Sequence, residues 1–141
     1  MSTKHKGVNL ISRVSVLVAL AASVCVAFSG CGQAKAFRSK SKVADATTQI
    51  KLLDQGLDSY RLDNGDYPSS LQGLVTNVDQ TAKWDGPYIK PAKITKDPWG
   101  NEYHYVCPGK HDPTGFDLCS FGADGKEGGT GVAADITNWG Y

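Results

Sequence analysis

Six apolar residues, Val43, Ala46, Ile50, Leu53, Leu57 and Tyr60, recur three or four positions apart, and this spacing constrains the fold more than any other feature of the chain. At 3.6 residues per turn all six fall on one stripe of an α-helix, with Lys51, Asp54, Asp58 and Arg61 on the opposite, wet face. Gly56 interrupts the helix at a cost of about 1 kcal/mol relative to Ala. Asn64-Gly65 followed by Pro68 supplies a left-handed stop and a breaker, so the helix is expected to end near Leu62. The stripe is shorter than three heptads and mixes Ala, Leu and Tyr, which favours docking on the chain's own sheet over a coiled coil.

Beyond Pro68 the texture changes to short segments: a helical turn around Ser70 to Val75, then an irregular connection through Trp84-Asp85-Gly86-Pro87-Tyr88. Two β-favouring runs follow, Glu102 to Cys107 and Phe116 to Phe121, separated by a Pro- and Gly-containing stretch that suits an antiparallel hairpin with a loose loop. Helix first and meander later predicts an α+β domain, a long N-terminal amphipathic helix packed on a small antiparallel β-sheet. At 141 residues there is room for one such core and an export segment. The formal net charge of +1 lacks the basic footprint of a nucleic-acid binder.

The N-terminus has the layout of an export signal: Lys4, His5, Lys6 and Arg13 precede an apolar run from Val14 to Phe28, closed by Ser29-Gly30-Cys31-Gly32. As a helix that run would span about 22 Å, short of the roughly 30 Å hydrocarbon core of a bilayer. Small residues before a cysteine form a lipobox-like site, with Cys31 as the candidate lipidated residue of the mature chain. Residues 1–30 are thus expected to be a targeting segment, 31–42 a basic polar spacer or the frayed start of the next element, and 43–141 the globular domain. Export implies a bacterial envelope location, lipid-anchored or N-terminally anchored with the domain in the periplasm. In that oxidising compartment Cys107 and Cys119, on neighbouring strands, are expected to form a disulfide. The alternative use of the same region is a zinc site of His104, Cys107, His111 and Cys119, whose spacing matches no common finger. No nucleophile elbow, phosphate loop, dinucleotide fingerprint or helical histidine pair is present, so catalysis and a small-molecule substrate are not expected.

The stretch from Phe121 to Asp135 carries five glycines in ten residues, which makes ordering it entropically costly. Two readings stay open on the residues: a solvated turn, or a calcium loop in which Asp124 and Asp135 supply charge from the two ends and backbone carbonyls supply the rest.

Leu57 to Pro68, Leu71-Gln72-Gly73-Leu74, Gly86 to Lys90, Lys96-Asp97-Pro98-Trp99-Gly100-Asn101, Phe116-Asp117, Gly122-Ala123-Asp124-Gly125 and Ala134 to Trp139 form an ordered series. Over about Val43 to Trp139 this series resembles the globular domain of the major pseudopilin family of type II secretion. The resemblance implies a pilin-like fold, protein partners within a secretion apparatus, and calcium in the loop after the second long strand. Asp124 and Asp135 would be side-chain ligands and Phe121 a carbonyl ligand; the position before the last acid, acidic in some members, is Ala134 here. The N-terminus departs from the family. Lys6-Gly7-Val8-Asn9-Leu10-Ile11-Ser12-Arg13 places Ser12 where the family carries a glutamate at its fifth mature position. A fixed or lipid-anchored relative is therefore expected, with a polymerising pseudopilin or an envelope lipoprotein unrelated to secretion as the alternatives.

Overall fold

The computed structural model describes residues 30–140, beginning within a long helix, α1 (Gly30–Asn64), whose side chains are described from Phe37 onward. Residues 1–29 of the expected targeting segment and the side chain of Cys31 lie outside the described residues. Residues 31–42 belong to α1. Contacts divide the chain into a unit at 1–38 and a unit at 39–141, and among the described residues the second unit holds the core and every strand. Among the described residues no helix is long and apolar enough to cross a membrane.

The predicted stripe is the buried face of α1: Ala46, Ile50 and Leu57 are fully buried and Leu53 and Tyr60 nearly so, with Val43 packed at the margin. Gly65, at φ 94°, donates its N–H to the Arg61 carbonyl and ends the helix two residues beyond the expected stop. Buried against the stripe are Leu71, Leu74, Ile89, Tyr103, Phe116, Leu118 and Ile136. Two tyrosines pin the sheet side to its surroundings. Tyr103 donates its hydroxyl to Gln49 Oε1 of α1 at 2.6 Å, and Tyr105 donates to the Pro68 carbonyl at 2.9 Å.

The turn at Leu71–Leu74 is a short 3-10 helix, followed by β1 (His104–Val106), β2 (Asp117–Ser120) and β3 (Ile136–Thr137). They form an antiparallel sheet in the order β1-β2-β3, and β3 is an element the sequence pattern does not announce. The central strand β2 is buried along its whole length. The last residues are fastened to it by Asn138, which accepts the Leu118 N–H through Oδ1 and donates Nδ2 to the Phe116 carbonyl.

Gly56, an apparent weak point, has a packing reason. A Cβ there would sit 2.7 Å from Ile89 Cγ2 and 3.4 Å from both Leu74 Cδ1 and the Tyr88 carbonyl oxygen. The glycine lets the connection after Trp84 approach the helix axis. Gly56→Ala is therefore expected to lower stability by about 1 kcal/mol, overpacking outweighing a propensity gain of similar size. Urea unfolding would show a lower midpoint at an unchanged slope.

The expected bridge between Cys107 and Cys119 is not formed: both thiols are free, Cys107 exposed and Cys119 buried. The register explains it. His104 lies opposite Cys119 and Val106 opposite Asp117, so Cys107 is three positions along from the residue facing Cys119. At about 3.3 Å per residue that offset is about 10 Å, beyond the roughly 7 Å a disulfide spans between Cα atoms. Cys107 Sγ contacts the Gly115 carbonyl at 3.5 Å instead.

The loop between β1 and β2 is held by Asp117. Its buried carboxylate accepts the N–H groups of Lys110 at 2.8 Å and His111 at 3.2 Å, and meets His111 Nδ1 at 2.9 Å. The His111 ring stacks on Trp139 at 4.1 Å. Burial opposes the charge on Asp117, but the hydrogen bonds from His111 and Lys110 prevail and hold the carboxyl below the usual aspartate range. A depressed folded-state value gives stability that is present above the unfolded value of about 3.9 and lost as pH falls through the folded one. Asp117→Asn is expected to cost about 1–3 kcal/mol at pH 7 and to flatten the loss of stability below about pH 4. Urea midpoints at pH 7 and pH 3 would check both.

Candidate functional site: the glycine-rich loop

Strand β2 ends at Ser120 and the chain enters a short 3-10 turn, Gly122–Asp124, capped by Phe121 on one side and by Gly125 at φ 66° on the other. A second turn, Gly131–Ala133, leads back through Ala134 and Asp135 into β3. Glycines allow the two arms to close on each other. Gly122, at φ 61°, would bring a Cβ within 2.8 Å of the Ala134 carbonyl oxygen and 3.0 Å of the Val132 one, and Gly129 is backed by the carbonyl of Ala133. Oxygen-rich backbone is thus concentrated between the arms, as the chemistry of a hard cation requires.

The two predicted acids sit on opposite arms. Asp124 is exposed, and its Oδ1 accepts the Lys126 N–H at 3.2 Å. Asp135 is half-buried, and its Oδ2 accepts the Gly128 N–H at 2.9 Å. The other oxygen, Asp135 Oδ1, is buried without a hydrogen-bond partner among the described residues. An orphaned carboxylate oxygen in a buried position costs of the order of 1–3 kcal/mol unless a hydrogen-bond donor or a cation meets it, and such an acceptor is compatible with a calcium ligand. Phe121 heads the first arm, its ring beside His104 at 5.3 Å. No group of three or more His, Cys, Asp or Glu side chains gathers among the described residues, so carbonyls must complete any calcium shell.

The zinc alternative is not assembled. His104 lies opposite Cys119 on the sheet, while His111 is engaged with Asp117 and Cys107 with Gly115. The Cys119 thiol is pushed up to about 11, chiefly by burial and then by the charges of Asp135, Asp117 and Glu127, which keeps it protonated and a poor ligand or nucleophile.

A partly buried network behind the loop carries no signal of its own in the sequence. Asp97 accepts the Ser120 hydroxyl at 2.6 Å, and Asn101 donates Nδ2 to the Gly122 carbonyl at 3.0 Å. Asp97 and Asn101 belong to the Lys96-Asp97-Pro98-Trp99-Gly100-Asn101 motif, which contributes to the resemblance without a role attached.

The description "Type II secretion system (T2SS), protein G" matches residues 35–139 as a family. The chain belongs to that family. The type II secretion system core protein G of Pseudomonas aeruginosa is 48% identical over 108 residues, covering 71% of this chain and 72% of the relative. Its counterpart in Vibrio cholerae serotype O1 is 44% identical over 108 residues, covering 72% and 71%. The counterpart in Escherichia coli K12 is 37% identical over 146 residues, covering 97% of this chain and 92% of the relative. The crystal structure of the major pseudopilin from the type 2 secretion system of enterohaemorrhagic E. coli superposes with a TM-score of 0.55 at 32% identity, covering 72% of this chain and 90% of that one. The α+β, pilin-like fold read from the sequence is the family's fold, and the chain is a pseudopilin-like component of type II secretion.

Proposed function

We propose that the chain is a non-catalytic, membrane-anchored pseudopilin-like component of the type II secretion apparatus, with its globular domain in the periplasm and its glycine-rich loop stabilised by calcium. The observation that carries the calcium assignment is the buried Asp135 Oδ1, without a partner among the described residues, next to an arm whose Val132 and Ala134 carbonyls face Gly122. Asp124 and Asp135 would hold the ion with the Phe121 carbonyl and further loop carbonyls, Ala134 leaving more of the shell to backbone and water. Bound calcium supplies positive charge that joins the two arms. The residues do the rest: Gly122 and Gly129 permit the close approach, and the Gly128 N–H orients the Asp135 carboxylate.

The domain works by assembling with other proteins of the secretion system, with no nucleic acid and no small-molecule substrate involved. For the anchor, Cys31 after Ser29-Gly30 is the candidate lipidation site. A second reading, a divergent major pseudopilin that polymerises, is favoured by the alignment with the E. coli K12 relative, which spans 97% of this chain and so extends into the N-terminal segment. Mass spectrometry of the mature N-terminus separates the two. A diacylated Cys31 supports the anchored component; a methylated Val8 replaces it with the polymer.

A further inference from the structure

Gly122 is the point where β2 becomes the loop, and both of its backbone polar groups are held from outside the loop. Its N–H donates to Ser120 Oγ at 3.2 Å, and its carbonyl accepts Asn101 Nδ2 at 3.0 Å. The Ser120 hydroxyl in turn donates to Asp97 Oδ2 at 2.6 Å, and Ser120 is fully buried. A carboxylate only accepts, so Asp97 sets the direction of the hydroxyl proton and leaves a Ser120 lone pair for the Gly122 N–H.

The turn that carries these side chains is closed on itself. Asp97 Oδ1 accepts the N–H groups of Trp99 at 3.0 Å and Asn101 at 2.8 Å, while the Asp97 N–H donates to the Asn101 carbonyl at 2.8 Å. Gly100, at φ 97°, completes the turn. Asp97 is only 4% exposed, and burying a carboxylate is costly unless its hydrogen bonds are filled. Here they are filled by two backbone donors and one hydroxyl, which fixes the turn relative to the end of β2.

We infer that Asp97 and Asn101 are positioning residues for the calcium loop: through Ser120 and directly, they hold Gly122 in the left-handed conformation that lets the arm of Val132 to Asp135 close against it. Both side chains spend their hydrogen bonds on the turn, Ser120 and Gly122, so they would support the site and not ligate the ion. They act as outer-sphere groups that preform the site, and loss of such support typically weakens metal affinity about 10–100-fold. Without it the left-handed Gly122 and the loop glycines must be ordered at the moment of binding. The inference rests on the proposed calcium site, and its test is built to fail separately from it.

The full-length chain in detergent would be titrated with calcium by calorimetry, as wild type and as Asn101→Ala, Ser120→Ala, Asp124→Ala and Gly56→Ala, with melting in chelator recorded for each. Asn101 is half-buried, so its truncation is milder than that of Ser120. The expected result is a 10–100-fold weaker Kd for Asn101→Ala and Ser120→Ala and no binding for Asp124→Ala. Gly56→Ala, which lowers stability away from the loop, should keep its Kd within about twofold, separating positioning from general weakening. If Asn101→Ala and Ser120→Ala bind as tightly as wild type while Asp124→Ala does not bind, the positioning role is overturned and the calcium site stands. If wild type binds no calcium, the calcium reading falls and takes this inference with it.

Discussion

Leu57→Ala is expected to lower stability by about 2–5 kcal/mol. Leu57 is fully buried on the stripe, between Leu53 and Tyr60, in the core cluster that also holds Leu74, Ile89 and Leu118. A domain of about a hundred residues has only about 5–15 kcal/mol of net stability, so this one change removes a large share of it. The neighbouring Leu62, 86% exposed on the same helix, provides the contrast. Leu62→Ala should change stability by less than about 0.5 kcal/mol. Chemical denaturation of both variants checks the pair, and comparable losses at the two sites would contradict the assignment of the buried face.

Calcium is expected to raise the melting temperature by about 10–20 °C at free concentrations about a hundredfold above Kd. That saturation corresponds to about 2.7 kcal/mol, and a domain of this size shifts by about 4–8 °C per kcal/mol. The orphaned Asp135 Oδ1 makes the prediction sharper, because without a cation it is a buried acceptor left unpaired. Asp135→Asn keeps an acceptor for the Gly128 N–H and removes the charge. In chelator it should be at least as stable as wild type; in calcium it should be clearly less stable. Melting curves of both proteins in the two buffers would show the crossing, and parallel curves would remove calcium from the account.

Local periodicity and turn chemistry made the helix and hairpin legible in the sequence. The stripe from Val43 to Tyr60 has no strand-like alternative, and Asn64-Gly65 marked its end to within two residues because only a residue tolerant of positive φ closes a helix that way. Strand β3 was not legible, since two residues, Ile136 and Thr137, carry too little pattern and are held in place by Asn138. The Cys107–Cys119 bridge failed for a related reason. Being on adjacent strands says nothing of register, and the register of β1 and β2 places Tyr105, packed against the core, opposite the fully buried Leu118.

The loop was half legible. Its glycines and terminal acids signalled a structure needing something to hold it, but Asp124 and Asp135 are eleven positions apart and only the fold brings their arms together. The support from Asp97 and Asn101 could not be read at all, because it reaches across 23 positions to Ser120 and 21 to Gly122. Gly56 is the clearest case of a residue that looks like a local defect and is a packing requirement, visible only once Ile89 is seen against it.

The central claim, that this chain serves type II secretion through its globular domain, is tested most directly by deleting its gene in a cell with an active type II system. Exported enzyme activity in the medium and in the periplasm would then be measured. The account predicts loss from the medium with accumulation in the periplasm, restored by the wild-type chain but not by one carrying Leu57→Ala together with Asp124→Ala. Undiminished secretion in the deletion strain would contradict it.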